Sequence, residues 1–98
     1  MRFLIAEDGV GVVIGADGEL DIATTPALRR DLAIVIDAGQ GDVLVDMSTV
    51  TFCDSTVLGT LVAARLELAA TGRRMRIVQP SRSVRRLLRI AELSQLLT

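Results

Sequence analysis

Residues 46–61, DMSTVTFCDSTVLGTL, contain the change from a strand pattern to a helix pattern around which the rest of the chain is arranged. Leading into this stretch, residues 42–47 place Val43, Leu44 and Val45 at consecutive positions, which is typical of a parallel strand covered on both faces. A short polar turn follows, and an apolar helix is predicted from near Ser55 to about residue 71. The sequence therefore predicts a buried strand that leads through a polar turn into a helix.

The polar turn ends in residues that are suited to start a helix. Asp54 and Ser55 are both reasonable N-caps, because a short side-chain oxygen can accept a hydrogen bond from the free N–H groups of the first turn. The same N–H groups and the helix dipole favour a negative charge at this place. The predicted helix start would therefore tolerate a phosphate.

The first part of the chain predicts a β-hairpin. Residues 2–6 and 10–16 share a β-branched bias and are expected to pair around a turn at Glu7-Asp8-Gly9. Asp17-Gly18 can be either a second turn or a bulge before Glu19-Leu20-Asp21. In both cases Asp21 falls near the strand ends and just before a helix, which is a common place for functional polar groups in open α/β sheets.

Two crossover helices are predicted, one before and one after the strand at residues 42–47 in the chain. Thr25 as N-cap and Pro26 at the first helical position begin one helix, which ends at Ala38-Gly39. Strand, helix and strand in this order imply a right-handed crossover and a parallel pair. The buried face of the second helix is predicted to consist of Leu58, Leu61, Val62, Leu66 and Ala69.

The end of the chain predicts one more strand and one more helix. The strand covers residues 74–79, the helix starts at residues 81–83, and Leu93, Leu96 and Leu97 form a terminal helical turn. Ninety-eight residues are enough for one domain with a core of its own. The predicted fold is a single α/β domain over residues 1–98, with a small mixed β-sheet and helices packed mainly on one side.

Charge is distributed unevenly along a chain whose net charge is −1. Residues 1–54 hold ten of the twelve acids and three of the eleven arginines, so the later arginines form either solvated, partly paired faces or a docking surface for an acidic partner. Nucleic acid is disfavoured as a partner, because there is no overall basic excess and no aromatic side chain placed to stack on bases.

Composition also argues against catalysis, metal binding and membrane insertion. The chain has no histidine, so Ser55 and Cys53 lack an ordinary general base, and no Walker-type loop is present. No cofactor is predicted, and the protein is not expected to be an enzyme. A single cysteine fits a reducing cytoplasm, and no apolar run approaches the ~18 residues of a membrane-spanning helix.

Two motifs resemble those of a known family. The segment Asp54-Ser55-Thr56-Val57-Leu58-Gly59 is similar to the signature of STAS domains, the fold of bacterial anti-sigma factor antagonists. Upstream, Gly18-Glu19-Leu20-Asp21 before a Thr-rich helix start resembles a second element of that family. Val57 departs from the pattern, because the family usually has glycine there. That glycine could allow close approach of a partner, or the position could lie inside the helix, where valine is harmless.

The resemblance implies a switch that acts through phosphorylation. Ser55 matches the family's phosphorylated serine, although by its position alone it could be only a helix cap, and Thr56 is a less favoured acceptor. An unphosphorylated antagonist would bind an anti-sigma factor that is also a serine kinase and so release a sigma factor. The kinase, using ATP and Mg²⁺, would end the interaction, and a phosphatase would reset Ser55. The residues expected to bind the partner are Asp21, Asp54, Ser55, Thr56, Val57 and Gly59.

Two other functions remain open from the sequence. One is an accessory STAS subunit of a lipid-transporting ABC transporter, in which the same turn would dock an ATPase. The other is a STAS scaffold that is not phosphorylated, for which Val57 is the main hint.

Overall fold

Four strands form one mixed sheet in which spatial order follows chain order. The computed structural model describes residues 2–5, 11–38 and 41–97. The strands are β1 (Arg2–Ile5), β2 (Gly11–Leu20), β3 (Asp42–Cys53) and β4 (Met75–Val78), and the helices are α1 (Thr25–Ala38), α2 (Ser55–Ala69) and α3 (Arg82–Ile90), followed by a 3-10 turn at Ser94–Leu97. None of the helices in these described ranges is both long and apolar enough to cross a membrane.

The pairing of the strands confirms the predicted mixed sheet. β1 and β2 are antiparallel, as expected for a hairpin, whereas β2, β3 and β4 are parallel. The turn predicted at Glu7-Asp8-Gly9 lies outside the described residues. Because β2–α1–β3 and β3–α2–β4 both step in the same direction across the sheet, right-handed crossovers place α1 and α2 on the same face.

β3 is longer than predicted, and the polar turn is correspondingly shorter. The strand continues beyond Met47 to Cys53, because β2 also extends to Leu20 and keeps pairing with it. The register shifts between Gly15 and Asp17 and again between Gly18 and Glu19, which resolves Asp17-Gly18 as part of a bulged strand. The prediction that the strand ends at Met47 was therefore wrong, and only Asp54 separates β3 from α2.

One face of the sheet carries the core. Val43, Val45 and Met47 on β3 are fully buried, while Leu44 and Asp46, which alternate with them, are only half-buried. The consecutive apolar residues thus do not reflect equal cover on both faces, which corrects the sequence interpretation. The core is completed from the helices and the C-terminal turn, chiefly by Leu28, Leu32, Leu61, Leu68, Leu88 and Leu96.

The buried face of α2 is rotated from the predicted one. Leu66 is 67 % exposed and Ala69 is also exposed, so both were wrongly assigned to the core. The buried positions are Val57, Leu58, Thr60, Leu61, Ala64 and Leu68. Since α2 is apolar around much of its circumference, periodicity alone could not fix its rotation about the helix axis.

Candidate functional site

The candidate site lies where β2 and β3 end side by side. Leu20 and Cys53 are paired in register, and the main-chain N–H of Asp54 donates to the carbonyl oxygen of Leu20 at 3.1 Å. Asp21 and Asp54, the next residue of each strand, therefore leave the same edge of the parallel sheet as neighbours. This edge, formed by the carboxyl ends of parallel strands, is the usual location of functional groups in open α/β sheets.

Asp54 is the N-cap of α2. Its backbone is extended, with φ −102° and ψ 176°, and its Oδ1 accepts a hydrogen bond from the Thr56 main-chain N–H at 3.0 Å. The Thr56 hydroxyl donates to the same oxygen at 2.5 Å. Two donors thus hold the carboxylate against the first turn of the helix, where the helix dipole also favours its negative charge.

Asp21 organises the second half of the site. Its Oδ1 accepts from the main-chain N–H groups of Ala23 at 2.9 Å and Thr24 at 3.2 Å, which closes an Asx-type turn before α1. Its carbonyl oxygen accepts from the Thr25 hydroxyl at 2.7 Å. Hydrogen bonding places the cap of α1 at Thr24 rather than at the predicted Thr25, since the Leu28 N–H donates to the Thr24 carbonyl.

The two helix starts meet through a pair of threonines. The hydroxyl oxygens of Thr25 and Thr56 lie 3.5 Å apart, although the residues are 31 positions apart in the chain. Thr25 is buried, whereas Thr56 is exposed. Sequence reasoning treated Thr25 only as a cap and missed this contact, for which the Thr-rich start of α1 is the one available signal.

Ser55 differs from its neighbours in having a hydroxyl that no described residue binds. It is the first residue of α2 and is exposed, and its side chain makes no hydrogen bond to any described residue. Asp54 and Thr56 on either side are tied to each other. Ser55 is therefore the exposed hydroxyl of this turn that no described residue engages in a hydrogen bond.

Val57 and Gly59 have different environments. Val57 is 0 % exposed and packs in the core, so the prediction that its side chain contacts a partner does not fit its position. The helix-interior interpretation of Val57 is the one that its placement supports. Gly59 is exposed, and a Cβ added there would meet nothing within 4 Å.

Cys53 has the properties of a structural residue. Burial, followed by the nearby negative charge of Asp54, raises the pKa of the Cys53 thiol from 9.0 to about 11. The thiol therefore stays protonated at neutral pH, where it is a poor nucleophile. Within residues 11–38 and 41–97, no group of three or more histidine, cysteine or acidic side chains is arranged to hold a metal ion.

The fold and the site together define a small α/β domain whose chemically distinctive feature is a polar helix start at the ends of parallel strands. The chain belongs to the STAS domain family, because the family's sequence model matches residues 4–98. This confirms the family indicated by the two sequence motifs.

Two proteins that are similar to this chain are named as anti-sigma factor antagonists. The chain is 34 % identical over 80 residues to an anti-sigma-B factor antagonist of Staphylococcus epidermidis, a match that covers 82 % of this chain and 74 % of the relative. Among solved structures, it is similar to the anti-sigma factor antagonist SpoIIAA in its unphosphorylated form, with a TM-score of 0.81, 24 % identity, and coverage of 99 % of this chain and 86 % of the other.

The phosphorylated form of the Bacillus protein SpoIIAA is similar as well. Its TM-score is 0.74 at 22 % identity, with 99 % of this chain and 89 % of the other covered. At these identities the structural similarities show a shared fold.

Proposed function

We propose that the protein is an anti-sigma factor antagonist that is controlled by phosphorylation of Ser55. In its unphosphorylated form it binds an anti-sigma factor that is also a serine kinase, and so releases a sigma factor for transcription. The names of the Staphylococcus relative and of SpoIIAA support the role, and the two reported forms of SpoIIAA support a phosphorylation switch. Ser55 is then a substrate rather than a catalyst, which agrees with the regulatory character of the family.

The observation that carries this proposal is the state of the hydroxyls at the start of α2. Ser55 is exposed and makes no side-chain hydrogen bond to the described residues, while the Thr56 hydroxyl donates to Asp54 at 2.5 Å. A kinase must reach the acceptor oxygen, and the Thr56 hydroxyl would first have to give up its hydrogen bond to Asp54. The Ser55 hydroxyl has no such bond to a described residue.

The surroundings of Ser55 explain how a phosphate would act without unfolding the domain. Phosphorylation adds about −1.5 to −2 charge at neutral pH, and the N-terminus of a helix stabilises negative charge. The same phosphate adds to the carboxylates of Asp21 and Asp54 at one edge of the sheet. We expect the folded state to persist while a partner surface that fits the unmodified turn is repelled.

The proposed partner surface consists of the accessible groups at this edge. Asp54 and Asp21 are half-buried, and Ser55, Thr56 and Gly59 are exposed. Val57 supports this surface from below as part of the core. A phosphatase that removes the phosphate from Ser55 would restore binding, and the cytoplasm is the compartment in which we place this cycle.

Intact-mass spectrometry with peptide mapping tests the proposal. The protein is incubated with ATP, Mg²⁺ and candidate anti-sigma factor kinases from its source organism, and a single phosphate on Ser55 is expected. Ser55→Asp should lose kinase binding while keeping a wild-type circular dichroism spectrum. Absence of modification by every candidate, or undiminished kinase affinity of Ser55→Asp, would count against the switch.

A further inference from the structure

A cationic surface lies on the outer side of α3. It consists of four exposed arginines, Arg82, Arg85, Arg86 and Arg89, which we call the α3 arginine surface. None of the four forms an ion pair with another residue in the described part of the chain. Within α3 itself there is no acidic side chain, and Glu92 is the first acid after the helix.

Folding does not explain this accumulation of charge. Arg82 and Arg86, like Arg85 and Arg89, are separated by four positions, so each pair places like charges on neighbouring turns of the helix, which is destabilising. The core contacts of α3 are made by Val84 and Leu88 on its other side. The arginines therefore cost the free helix some stability and fill no space in the interior.

An apolar groove adjoins these arginines. The α3–β3 groove has a volume of about 270 Å³ and is lined by Phe52, Cys53, Ser83, Arg86, Leu87 and Ile90. Phe52 is 51 % exposed and Ile90 is 70 % exposed, so two large apolar side chains face solvent beside the charged surface. The Ser83 hydroxyl donates to the Thr51 carbonyl oxygen at 3.2 Å and fixes this side of α3 against the end of β3.

Two residues that line the groove directly precede the proposed phosphorylation site in the chain. Phe52 and Cys53 form the last positions of β3, and Asp54 and Ser55 follow them directly. Ser55 therefore follows a groove-lining residue, Cys53, by two positions.

We infer that the α3–β3 groove and the α3 arginine surface bind an acidic, amphipathic segment of the anti-sigma factor kinase. A large apolar side chain of that segment would occupy the groove next to Phe52 and Ile90, and its carboxylates would pair with Arg86 and Arg89. This inference rests on the proposed function and adds the chemistry of the partner. The phosphate on Ser55 would then repel the carboxylates of this segment.

Two other occupants fit the observations less well. An interfacial helix binds a membrane through its free apolar face, but Val84 and Leu88 on the apolar face of α3 are already buried in the core. A nucleic acid binds mainly through neutralisation of its phosphates by basic side chains, and the chain as a whole carries a net charge of −1. Charge complementarity therefore favours an acidic protein segment.

Matched variants test the inference by calorimetric titration with the anti-sigma factor kinase. Arg86→Glu/Arg89→Glu is compared with Arg30→Glu/Arg76→Glu, which makes the same change of charge at exposed positions on α1 and β4. We expect the first pair to raise Kd by about tenfold or more and the control by less than about threefold. Ile90→Ser is compared with Leu66→Ser, because Leu66 is similarly exposed at 67 % on α2, and only Ile90→Ser should weaken binding.

The outcomes separate this inference from the proposed function. If Ser55→Asp loses binding while Arg86→Glu/Arg89→Glu and Ile90→Ser bind as wild type does, the function stands and the inference is wrong. If no candidate kinase binds even the wild-type chain, both are wrong. Wild-type binding to phosphatidylserine/phosphatidylcholine vesicles that Arg86→Glu/Arg89→Glu abolishes, with kinase affinity unchanged, would assign the surface to lipid headgroups and overturn the inference.

Discussion

The hydroxyl oxygens of Thr25 and Thr56 lie 3.5 Å apart and join the first turns of α1 and α2. The Thr56 hydroxyl also contacts the capping carboxylate of Asp54, and the Thr25 hydroxyl donates to the carbonyl oxygen of Asp21. One chain of polar contacts thus crosses the candidate site from one strand end to the other. The Ser55 hydroxyl is outside this chain of contacts and makes no hydrogen bond to a described residue, which separates the groups that build the turn from the group proposed for modification.

This separation predicts the outcome of two alanine substitutions. Ser55→Ala should abolish phosphate incorporation by the cognate kinase, whereas Thr56→Ala should leave Ser55 a substrate, because the Thr56 hydroxyl is held by Asp54. Phosphopeptide mapping after incubation with ATP and Mg²⁺ measures both. Incorporation of phosphate at Thr56 in the wild-type chain would contradict the assignment.

Two substitutions of Asp54 distinguish the effect of helix capping on stability from the effect of the carboxylate charge. Asp54→Ala removes the acceptor for the Thr56 N–H and should lower the free energy of unfolding by about 1 kcal/mol. Asp54→Asn keeps a side-chain oxygen at the cap and should cost less. Urea denaturation of the two variants checks this, and equal losses would show that charge rather than capping matters at this position.

Val57 should be required for stability rather than for recognition. Because its side chain is 0 % exposed, Val57→Gly should cost about 1.5–3 kcal/mol in lost burial. Glycine inside the helix should cost about 1 kcal/mol more. Val57→Ala provides the control, since it loses burial without the glycine penalty. A Val57→Gly protein as stable as wild type would show that the side chain does not pack as described.

Gly59, unlike Val57, should not be required for stability. A Cβ at this position meets no atom within 4 Å, so Gly59→Ala should stabilise the free protein by about 0.5–1 kcal/mol through the entropy of the unfolded chain. If the glycine is kept for close approach of a partner, the same variant should bind the kinase more weakly.

A reverse substitution on the same helix is the control for Gly59. Ala63→Gly, at another exposed position of α2, should destabilise the protein by a similar amount without weakening binding. Unchanged affinity of Gly59→Ala would remove Gly59 from the partner surface.

Cys53 gives a prediction for alkaline pH. Burial and Asp54 raise the pKa of the folded thiol from 9.0 to about 11, so the unfolded chain releases this proton at lower pH than the folded chain does. The stability gained from keeping the thiol neutral is full below pH 9 and should decline as pH rises from about 9 to 11.

The composition makes this measurement unusually clear. The chain has no histidine, tyrosine or lysine, so Cys53 is the only side chain in the sequence whose usual pKa lies between those of the carboxylates and of arginine. Unfolding free energies at pH 8 to 11 should fall for wild type and stay level for Cys53→Ala. Parallel curves for the two proteins would contradict the shift.

Local chemistry in the sequence was sufficient to predict the order of the elements and the start of the site. The β-branched runs, the Thr-Pro start of α1, and the Asp54-Ser55 helix start each act over a few residues, so their effects can be read without knowing the fold. Short-range hydrogen bonding and backbone preference place the cap of α2 at Asp54 in the same way. The two motifs then identified the family.

Tertiary structure decided what depends on residues far apart in the chain. β3 continues to Cys53 because the bulged β2 stays in register with it, and Leu66 is exposed while Val57 is buried because packing fixes the rotation of α2. The Thr25–Thr56 contact has the same origin. The sequence by itself determined local propensities and the chemistry of the turn, whereas strand register, helix rotation and the Thr25–Thr56 contact arise only when distant segments compete for the same hydrogen bonds and the same buried volume.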